Sequence, residues 1–370
     1  MSVTITKYDA ICNLGCNIDE IFESAIKGVS DKFSEMKLNE KIFRLGKVSC
    51  KLPEIKDEDF NTRTNRLGLA VLNSLNIQDF IKKYGEEYIA VVAATTNTGV
   101  EEYETSRNRK HAEISNLGEF VKNFYGLKNY CATVSTACSS GIKTFKIAEE
   151  LLNTNLAKCV IVIGTDGITK VPLYGFGSLE ILSDKPSLPF SKNRCGINIG
   201  EGAAAFIVEK DTEGIEIAGI GETTDTYHST TPNPEGKEAE DAIRIALTNA
   251  KLNPENIDYI NLHGTGTITN DISEGNAIYN IFGSNTPASS TKPLTGHCLG
   301  AAASIEIALC CKLIEKSSKK AYPHIYDGMY DENIPKINLA NPETKFEGIK
   351  TCLTTSFGFG GTDCAMIIRK

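Results

Sequence analysis

The chain has 370 residues and a formal net charge of −8, and 41% of its residues are hydrophobic and 23% charged. This composition is ordinary for a folded protein of one large or two smaller domains, and the acidic balance argues against general nucleic-acid binding. The apolar stretches are too short to cross a bilayer, and the first residues do not resemble a signal peptide. We therefore expect a cytoplasmic protein without a membrane span.

Short apolar runs alternate with helical patterns along the chain, which predicts an α/β fold. In chain order, the pattern predicts helices at 19–28, 65–75, 112–125, 141–152, 238–250 and 301–315. It predicts buried strands at 88–94, 159–164, 203–208, 257–262 and 353–355.

A division of the chain near residue 210 is indicated by a change from apolar to loop composition. Charged residues at 209–211 end a predicted strand, and Gly214 follows them. The proposed halves, 1–210 and 211–370, each contain a loop of small residues that leads into a helix, at 135–141 and at 295–303. We infer from this parallel that the fold contains a duplicated unit.

Twelve cysteines are scattered through the sequence, many of them inside apolar runs. A free cysteine in such a run behaves as a small hydrophobic residue. The sequence contains no Cys-x-x-Cys pair of the kind that binds zinc. We therefore expect reduced cysteines and no metal site.

Cys138 is the exception among these cysteines, because it lies where a loop of small residues becomes a helix. Residues 134–141 read Val-Ser-Thr-Ala-Cys-Ser-Ser-Gly, and apolar residues then recur at helical spacing. Unpaired backbone N–H groups and the dipole at a helix start favour a thiolate. The pattern predicts a nucleophile that accepts an acyl group.

Two of the five histidines lie in loops rich in glycine and threonine. His263 follows a predicted strand in a His-Gly-Thr-Gly-Thr run, and His297 precedes a predicted helix. Glycine removes side-chain bulk, so a substrate could approach both rings closely. The other three, His111, His228 and His324, lack such a setting, and we expect structural roles for them.

Lys292 lies five residues before His297, between small residues and the start of a helix. A lysine is usually a solvated surface group, but here a buried partner is plausible. The candidate partners are Glu274 and Glu306. Glu306 lies within an otherwise apolar helix, where a carboxylate requires a counter-charge or hydrogen bonds.

The C-terminal run Ser-Phe-Gly-Phe-Gly-Gly-Thr-Asp at 356–363 resembles a phosphate-binding glycine loop only weakly. Its spacing is not Gly-x-Gly-x-x-Gly, and no βαβ unit follows it. A turn between two final strands is the better interpretation. Phe357 and Phe359 in such a turn would form a lid over an apolar pocket.

Four motifs occur in a fixed order along the chain: Thr-Ala-Cys-Ser-Ser-Gly at 136–141, His-Gly-Thr-Gly-Thr at 263–267, Lys-Pro-Leu-Thr-Gly-His at 292–297 and Phe-Gly-Phe-Gly-Gly-Thr at 357–362. In this order they resemble the β-ketoacyl-acyl-carrier-protein synthases of the elongating Cys-His-His type. The resemblance covers nearly the whole chain. It implies the thiolase fold, a five-layer α/β/α/β/α sandwich of two similar halves.

The resemblance also implies a role for each matching residue. Cys138 would carry the acyl group, His263 and His297 would act on the malonyl unit, and Lys292 would be the family's lysine with Glu274 and Glu306 as its acidic partners. Phe359 would be the gating phenylalanine, with Phe357 beside it, and Thr265 and Thr267 would bind the phosphopantetheine arm of the carrier protein. The backbone N–H groups of Cys138 and Phe359 would form the oxyanion hole. No metal or other cofactor is implied.

Two features of the resemblance are less regular. Asn193 and Cys195 occupy positions where the family often has aspartates, which leaves the charge support of that loop in question. Segments 63–67 and 173–179 resemble the synthases of aryl-polyene-type polyketide pathways. That finer assignment implies either a homodimer or a heterodimer with a chain-length-factor-like subunit. Arg63 and Arg66 are either a docking patch for the acidic carrier protein or solvated helix charges.

Three alternatives remain beside the condensing enzyme. A non-catalytic chain-length-factor-like subunit usually lacks the nucleophile, whereas this chain has Cys138 and both histidines. A coenzyme A-dependent thiolase or initiation-type synthase fits the Lys292 to His297 motif less well. A simple acyl-binding module would not need three polar catalytic groups.

Overall fold

Strands that are apolar on both faces form the centre of the protein. The structure is a computed structural model that describes residues 2–38 and 41–370. The strands are β1 Val3–Ile11, β2 Ser34–Leu38, β3 Lys41–Gly46, β4 Ile89–Ala94, β5 Cys131–Val134, β6 Cys159–Asp166, β7 Ile199–Gly200, β8 Gly202–Lys210, β9 Ile215–Thr224, β10 Tyr259–Asn261, β11 Ala288–Ser289, β12 Thr351–Gly358 and β13 Thr362–Arg369. The α-helices are α1 Ile18–Ile26, α2 Arg63–Leu72, α3 Ile77–Tyr84, α4 Val100–Ser106, α5 Arg109–Ala112, α6 Asn116–Tyr125, α7 Ser140–Asn153, α8 Lys170–Ser178, α9 Lys237–Ala250, α10 Ile268–Phe282, α11 Lys292–Thr295 and α12 Ala302–Glu315.

The main sheet has ten strands in the order β11-β10-β12-β13-β9-β1-β8-β6-β4-β5. Numbered within its own half, each set of five strands runs 3-2-4-5-1 from the sheet edge to the middle. Both halves pair strand 2 in parallel with strands 3 and 4, and strand 5 antiparallel with strands 4 and 1. The halves join where β1 pairs briefly with β9. This repeated topology is the duplication that the two small-residue loops indicate.

Alternation along the strands explains why helices cover both faces of each half. In β6, Val160 and Val162 belong to the central apolar cluster, whereas Ile161 and Ile163 belong to an outer one. Successive side chains of a strand point to opposite faces, so each face requires its own apolar cover. Helices α2 and α6 cover the outer face of the first half, α9 and α10 that of the second, and α7 and α12 lie between the halves. The result is five layers, α/β/α/β/α.

The two central helices approach very closely at their N-terminal ends. A Cβ added at Gly141 of α7 would lie 2.7 Å from the backbone nitrogen of Ser304 in α12. One added at Gly164 of β6 would overlap the Ser304 hydroxyl. The loops that precede α7 and α12, which carry Cys138 and His297, are therefore held against each other.

The predicted elements agree with the structure to within a few residues, with two kinds of difference. The helix predicted at 112–125 is two helices, α5 and α6, and the strand predicted at 353–355 is the longer β12. The final strand β13 agrees with the turn expected between two last strands at 356–363, whereas β1, β9 and α10 were not predicted. Among the described residues, no helix has both the length and the apolar character needed to span a membrane.

The expectation that all cysteines are reduced is wrong for one pair. Cys16 and Cys50 form a disulfide bond across a sequence separation of 34 residues. This bond connects the loop before α1 to the segment that follows β3. The other ten cysteines are free, and all of them except Cys131 and Cys195 are buried.

The contact between α7 and α12 leads to a stability prediction. We expect Gly141→Ala to lower the free energy of unfolding by about 1–3 kcal/mol, because the new methyl group would push against backbone that cannot move aside. Gly175→Ala in α8 is the matched control, since a Cβ there has no neighbour within 4 Å. Urea denaturation of both variants measures the difference. Equal stability of the two would contradict the close contact.

Candidate active site

Cys138 lies on a strained turn between β5 and α7. The residue before it, Ala137, has φ of 51°, a left-handed conformation that non-glycine residues rarely adopt. Cys138 is 7% exposed, and the Ser356 hydroxyl of β12 donates to its carbonyl oxygen at 2.8 Å. The turn is thus fixed from both halves of the protein, with the thiol facing a cavity.

His297 contacts the thiol directly. Its Nε2 lies 3.0 Å from the Cys138 Sγ, and its Nδ1 accepts a hydrogen bond from the backbone N–H of Leu299 at 3.1 Å. Because Nδ1 is an acceptor, the neutral ring carries its proton on Nε2 and donates toward the sulfur. Burial, followed by the positive charge of Lys292, lowers the pKa of His297 well below its ordinary value, so the ring is neutral at physiological pH.

His263 completes the group from the other side of the cavity. Its ring is perpendicular to that of His297, with 5.6 Å between the centroids, and packs edge-on against Phe357. The ligand atoms of Cys138, His263 and His297 all lie within 4.8 Å of one another. Burial, and then the charges of Lys292 and His297, lower the pKa of His263 well below its ordinary value. Two neutral imidazoles therefore share one small space with a thiol.

The charge state of Cys138 differs from the sequence expectation of a thiolate. Burial raises its pKa to about 12, and the nearby ammonium of Lys292 only partly opposes this shift. The free site therefore holds a thiol. A thiolate must be stabilised during the reaction by groups that donate to the sulfur, and the Nε2–H of His297 is placed to do so.

Lys292 is buried and forms an ion pair with Glu306, with 2.6 Å between Nζ and Oε1. The other oxygen of Glu306 is buried and has no hydrogen-bond partner among the described residues. Of the two carboxylates expected beside Lys292, the structure therefore pairs it with Glu306.

Glu274, the second expected partner, binds elsewhere. Its carboxylate accepts hydrogen bonds from the backbone N–H groups of His263 and Gly264, both at 2.7 Å, and from the Thr355 hydroxyl at 2.8 Å. Burial raises its pKa to about 7. Glu274 thus orients the histidine loop instead of neutralising the lysine.

The three groups open into a cavity of about 210 Å³. One part of its wall is apolar and contains Phe176, Leu179, Ile181 and Ile197. Another part is polar and contains Thr265 and Thr267, whose hydroxyls lie 3.0 Å apart. The cavity therefore offers an apolar compartment and a polar approach to the same sulfur.

A short turn between β12 and β13 covers this cavity, and we call Phe359, Gly360 and Gly361 the gate turn. Phe359 is 38% exposed and packs edge-on against Phe176, with 5.5 Å between ring centroids. Phe357, on the strand before it, is buried against His263. Of the two phenylalanines expected to form a lid, the structure places Phe359 at the surface and Phe357 inside the site.

The predicted docking arginines are both engaged within the protein. The Arg63 guanidinium forms an ion pair with the buried Glu201, whose Oε2 accepts from its Nε at 2.7 Å. The Arg66 guanidinium donates to the side-chain oxygen of Asn61. Arg63 therefore anchors the start of α2, and neither interpretation offered by the sequence, a free docking patch or solvated charges, describes it fully.

The loop with Asn193 and Cys195 obtains its charge partners from other segments. Arg194 is buried and forms ion pairs with Asp331 and with Asp271, the latter at 3.6 Å. Asn193 donates to the Asp327 carboxylate at 2.7 Å. The loss of the family's aspartates is thus compensated by carboxylates of α10 and of the segment near residue 330.

Asp166, at the end of β6, is a site residue that the sequence analysis missed. Its buried carboxylate accepts from the backbone of Thr96 and Asn97 and, at 2.7 Å, from the N–H of Gly300. It therefore ties the loop after β4 to the loop that follows His297. The sequence feature that could have indicated this residue is an aspartate at the end of an apolar strand.

The remaining histidines have the following settings. His324 and His111 are buried and hydrogen-bonded within the protein, as expected for structural residues. His228, expected to be structural as well, is exposed and lines the wall of the cavity near Ser229.

The spacing of Cys138, His263 and His297 would also suit a metal ion, because thiolate and imidazole are ligands that zinc prefers. The charge nearby disfavours this use. The ammonium of Lys292 acts on both imidazoles strongly enough to lower the pKa of each, and it would repel a cation there. The absence of a metal cofactor stays a prediction.

Comparison with known proteins identifies the family. The model for "Beta-ketoacyl synthase, N-terminal domain" matches residues 81–214, and that for the C-terminal domain matches 215–325. The chain is 33% identical over 288 residues to 3-oxoacyl-[acyl-carrier-protein] synthase 2 of Coxiella burnetii, which covers 70% of this chain and 66% of that relative. The chain thus spans just under two thirds of the length of this relative.

The chain belongs to the β-ketoacyl synthase family. A ketosynthase solved in complex with its chain length factor from Xenorhabdus doucetiae matches with a TM-score of 0.94 and 32% identity, covering 100% of this chain and 98% of that one. A type II polyketide ketosynthase in complex with an acyl-carrier protein, at 23% identity and a TM-score of 0.83 over 100% of this chain and 98% of that one, shares the fold. The predicted thiolase fold is confirmed.

Because the pKa values of both histidines are lowered, we expect both rings to stay neutral in mildly acidic solution. Folding favours the neutral form of both rings. Their contribution to the stability of the fold is therefore fully present when the pH is above the ordinary histidine pKa of about 6.5, and it is lost as the pH falls below that value toward the lowered pKa of the folded protein. We expect the rate of a reaction that uses the two neutral rings to stay constant down through pH 6.5. Lys292→Met removes the charge that lowers both pKa values, and its acidic limb should move to higher pH.

Rate profiles between pH 5 and 8 measure this shift. Lys292→Arg keeps the charge and should retain the position of the limb. Lys146→Met, on the half-buried face of α7, is the matched control for loss of a lysine. An identical acidic limb in the original protein and in Lys292→Met would contradict the electrostatic role of Lys292.

Proposed function

We propose that this chain is an elongating β-ketoacyl-acyl-carrier-protein synthase, an acyltransferase that extends an acyl group carried on Cys138 by two carbons. The observation that carries the proposal is the distance of 3.0 Å between the Cys138 Sγ and the His297 Nε2, with His263 facing the same cavity. A nucleophile and two neutral hydrogen-bond donors are the groups that a decarboxylative Claisen condensation needs.

In the first step, the sulfur of Cys138 attacks the carbonyl carbon of an acyl thioester on the carrier protein. A new C–S bond forms, the bond to the carrier sulfur breaks, and the thiol proton ends on the departing carrier thiol. His297 cannot be the base, because the lone pair of its Nδ1 is already used by the Leu299 N–H. Its Nε2–H instead stabilises negative charge on the sulfur.

The oxyanion of this first step requires donors of its own. Among the described residues, the backbone N–H of Phe359 has no acceptor in the loops and turns, and that of Cys138 is directed only at its own sulfur. Both belong to segments that line the cavity. Two free N–H groups beside the sulfur would provide the oxyanion hole that acyl transfer needs.

In the second step, malonyl-carrier protein loses carbon dioxide. The C–C bond to the carboxylate breaks, and its electrons form an enolate whose oxygen carries negative charge. The ring N–H groups of His263 and His297 would both donate to that oxygen. The enolate carbon then attacks the acyl carbon on Cys138, which releases the sulfur and a 3-ketoacyl product. Stabilisation of charge that exists only during reaction accelerates catalysis directly.

The alternatives fit the geometry less well. A non-catalytic chain-length-factor-like subunit would have no need for a thiol in contact with an imidazole. A thiolase or initiation-type synthase that uses coenzyme A stays possible for the acyl donor, but the pair of neutral histidines suits an enolate formed by decarboxylation. A pure acyl-binding module would not need the buried Lys292 and Glu306 pair beside the thiol.

Variants of the three groups separate the two steps. We expect Cys138→Ala to abolish the acyl adduct in intact-protein mass spectrometry, because no sulfur remains to form the thioester. We expect His263→Ala to keep the adduct but to lower malonyl decarboxylation by about 10²–10³-fold, the usual effect of losing one oxyanion donor.

His228→Ala is the control for this comparison, because that histidine lies on the exposed part of the cavity wall. It should form the adduct and decarboxylate at nearly the original rate. An adduct that persists in Cys138→Ala, or unchanged decarboxylation in His263→Ala, would remove the basis of the proposed function.

The partners and the pathway belong to the same proposal. We propose that the substrates are carried on the phosphopantetheine of an acyl carrier protein and that no other cofactor takes part. The arm would pass Thr265 and Thr267, which line the polar approach to the sulfur. The similarity to a ketosynthase that was solved with its chain length factor supports a heterodimer over a homodimer. The proposal of a polyene-type polyketide pathway rests on segments 63–67 and 173–179 alone.

Purification of the chain alone tests the partner. If a chain-length-factor-like subunit is required, we expect the isolated chain to form the acyl adduct slowly and to produce little elongated product with carrier-bound substrates. Size-exclusion chromatography with light scattering gives its oligomeric state in the same preparation. Full elongation by a homodimer would contradict the heterodimer and leave the chemistry of Cys138 intact.

A further inference from the structure

Asp363 is a buried carboxyl beside the gate turn that the proposed mechanism does not use. It lies two residues after Gly361, is 4% exposed and lines the cavity. Its strand partner is Phe357, so the carboxyl lies on the same face of the sheet as the ring that packs against His263. Among the described residues, the Asp363 carboxyl has no hydrogen-bond or ion-pair partner.

The charged groups that shift the pKa of Asp363 are all acidic, and the titratable ring of His228 lies on the Asp225 loop in the same cavity wall. Asp225 approaches from the loop after β9, Glu238 from α9 and Glu274 from α10. Burial, and then repulsion by these three groups in that order, raises the pKa of Asp363 to about 7. Since its folded pKa lies above its ordinary value, stability linked to the protonated form is complete at low pH and is lost as the pH rises toward about 7.

Asp225 belongs to a loop that is hydrogen-bonded to the gate turn. Its backbone N–H donates to the carbonyl oxygen of Gly361 at 2.7 Å, and the N–H of Gly360 donates to the Ser229 carbonyl at 2.9 Å. Gly361 has φ of 80°, and an added Cβ there would overlap the Asp225 carbonyl oxygen. If the gate turn moves, the Asp225 loop therefore has to move with it, or the two hydrogen bonds between them have to break.

Two backbone N–H groups donate hydrogen bonds to the carboxylate of Asp225. It accepts from the N–H groups of Tyr227 at 2.8 Å and Asn233 at 2.7 Å. Both oxygens of this carboxylate are thereby fixed in place beside the gate turn. A second charge on Asp363 would therefore face a fixed negative group without any cation between them.

We propose that Asp363 is a positioning residue of the gate turn: its neutral carboxyl permits the closed turn, and its ionised form repels Asp225 and releases Phe359 from Phe176. Release opens the apolar compartment to long chains, and the proton leaves to solvent through the cavity. The proposal needs only a chain that reaches the thiol, so it holds independently of the condensing activity.

The test compares two alkylating reagents at Cys138, iodoacetamide and its N-octyl derivative, between pH 5.5 and 8.5. The ratio of their rates cancels the ionisation of the thiol, because both attack the same sulfur. Peptide mapping isolates Cys138 from the exposed Cys195. We expect the ratio of octyl to small reagent to rise by about tenfold as the pH passes through about 7.

Two variants test whether Asp363 causes the rise in the ratio of alkylation rates. Asp363→Asn keeps the shape of the neutral side chain and should give a low ratio at every pH. Asp225→Asn removes the charge that the ionised Asp363 is proposed to repel, so the rise should be much smaller than in the original protein, and this result tests the proposal even if Asp363→Asn fails to fold. A flat ratio in the original protein, or the same rise in Asp363→Asn, would overturn the role of Asp363.

Discussion

The close contact between the N-terminal ends of α7 and α12 is the constraint on which the site depends. Gly141, Gly164 and Ser304 leave no space for a Cβ between the halves. The two loops that precede these helices occupy equivalent places in the duplicated fold, and the contact brings one residue from each, Cys138 and His297, to 3.0 Å. The catalytic pair is therefore a product of the duplication and its packing.

Burial then determines the charge of every group in the site. It favours the neutral form of the thiol and of both imidazoles, and Lys292 lowers the pKa of the two histidines further. Lys292 is itself paired in this buried environment with Glu306, whose carboxylate oxygen lies 2.6 Å from its Nζ. In the proposed mechanism, the enolate charge forms only during the reaction. Neutral ring N–H groups that are not already paired with a charge are better suited to stabilise it than groups that are paired with one another.

The local pattern of the sequence was sufficient to single out Cys138, His263 and His297, which the structure brings together, and to predict the α/β layers. Each depends on residues that are neighbours in sequence, such as the apolar period after Cys138, all of which is buried in α7. The reduced state of Cys16 was predicted wrongly, and neither the raised pKa of Cys138 nor the ion pair of Arg63 was predicted. Each depends on a group remote in sequence: Cys50, the covering half of the protein and Glu201. Local composition carries no information on such partners.

The two sides of the cavity differ in the charged groups beside them: a lysine lies beside the sulfur and the imidazoles, and carboxyl groups lie beside the gate turn. Lys292 lies on the side of the sulfur and the imidazoles, where a cation favours anionic intermediates. The carboxyl groups of Asp225 and Asp363 lie beside the gate turn, where no described cation balances them. In the proposed mechanism, a change of charge at the gate alters which chains enter, while the two histidine rings that would act on the enolate keep their protons. Because Glu274 contributes to both sides, through the backbone of His263 and through its repulsion of Asp363, it is the residue through which the state of the gate and the position of the histidine would be coupled.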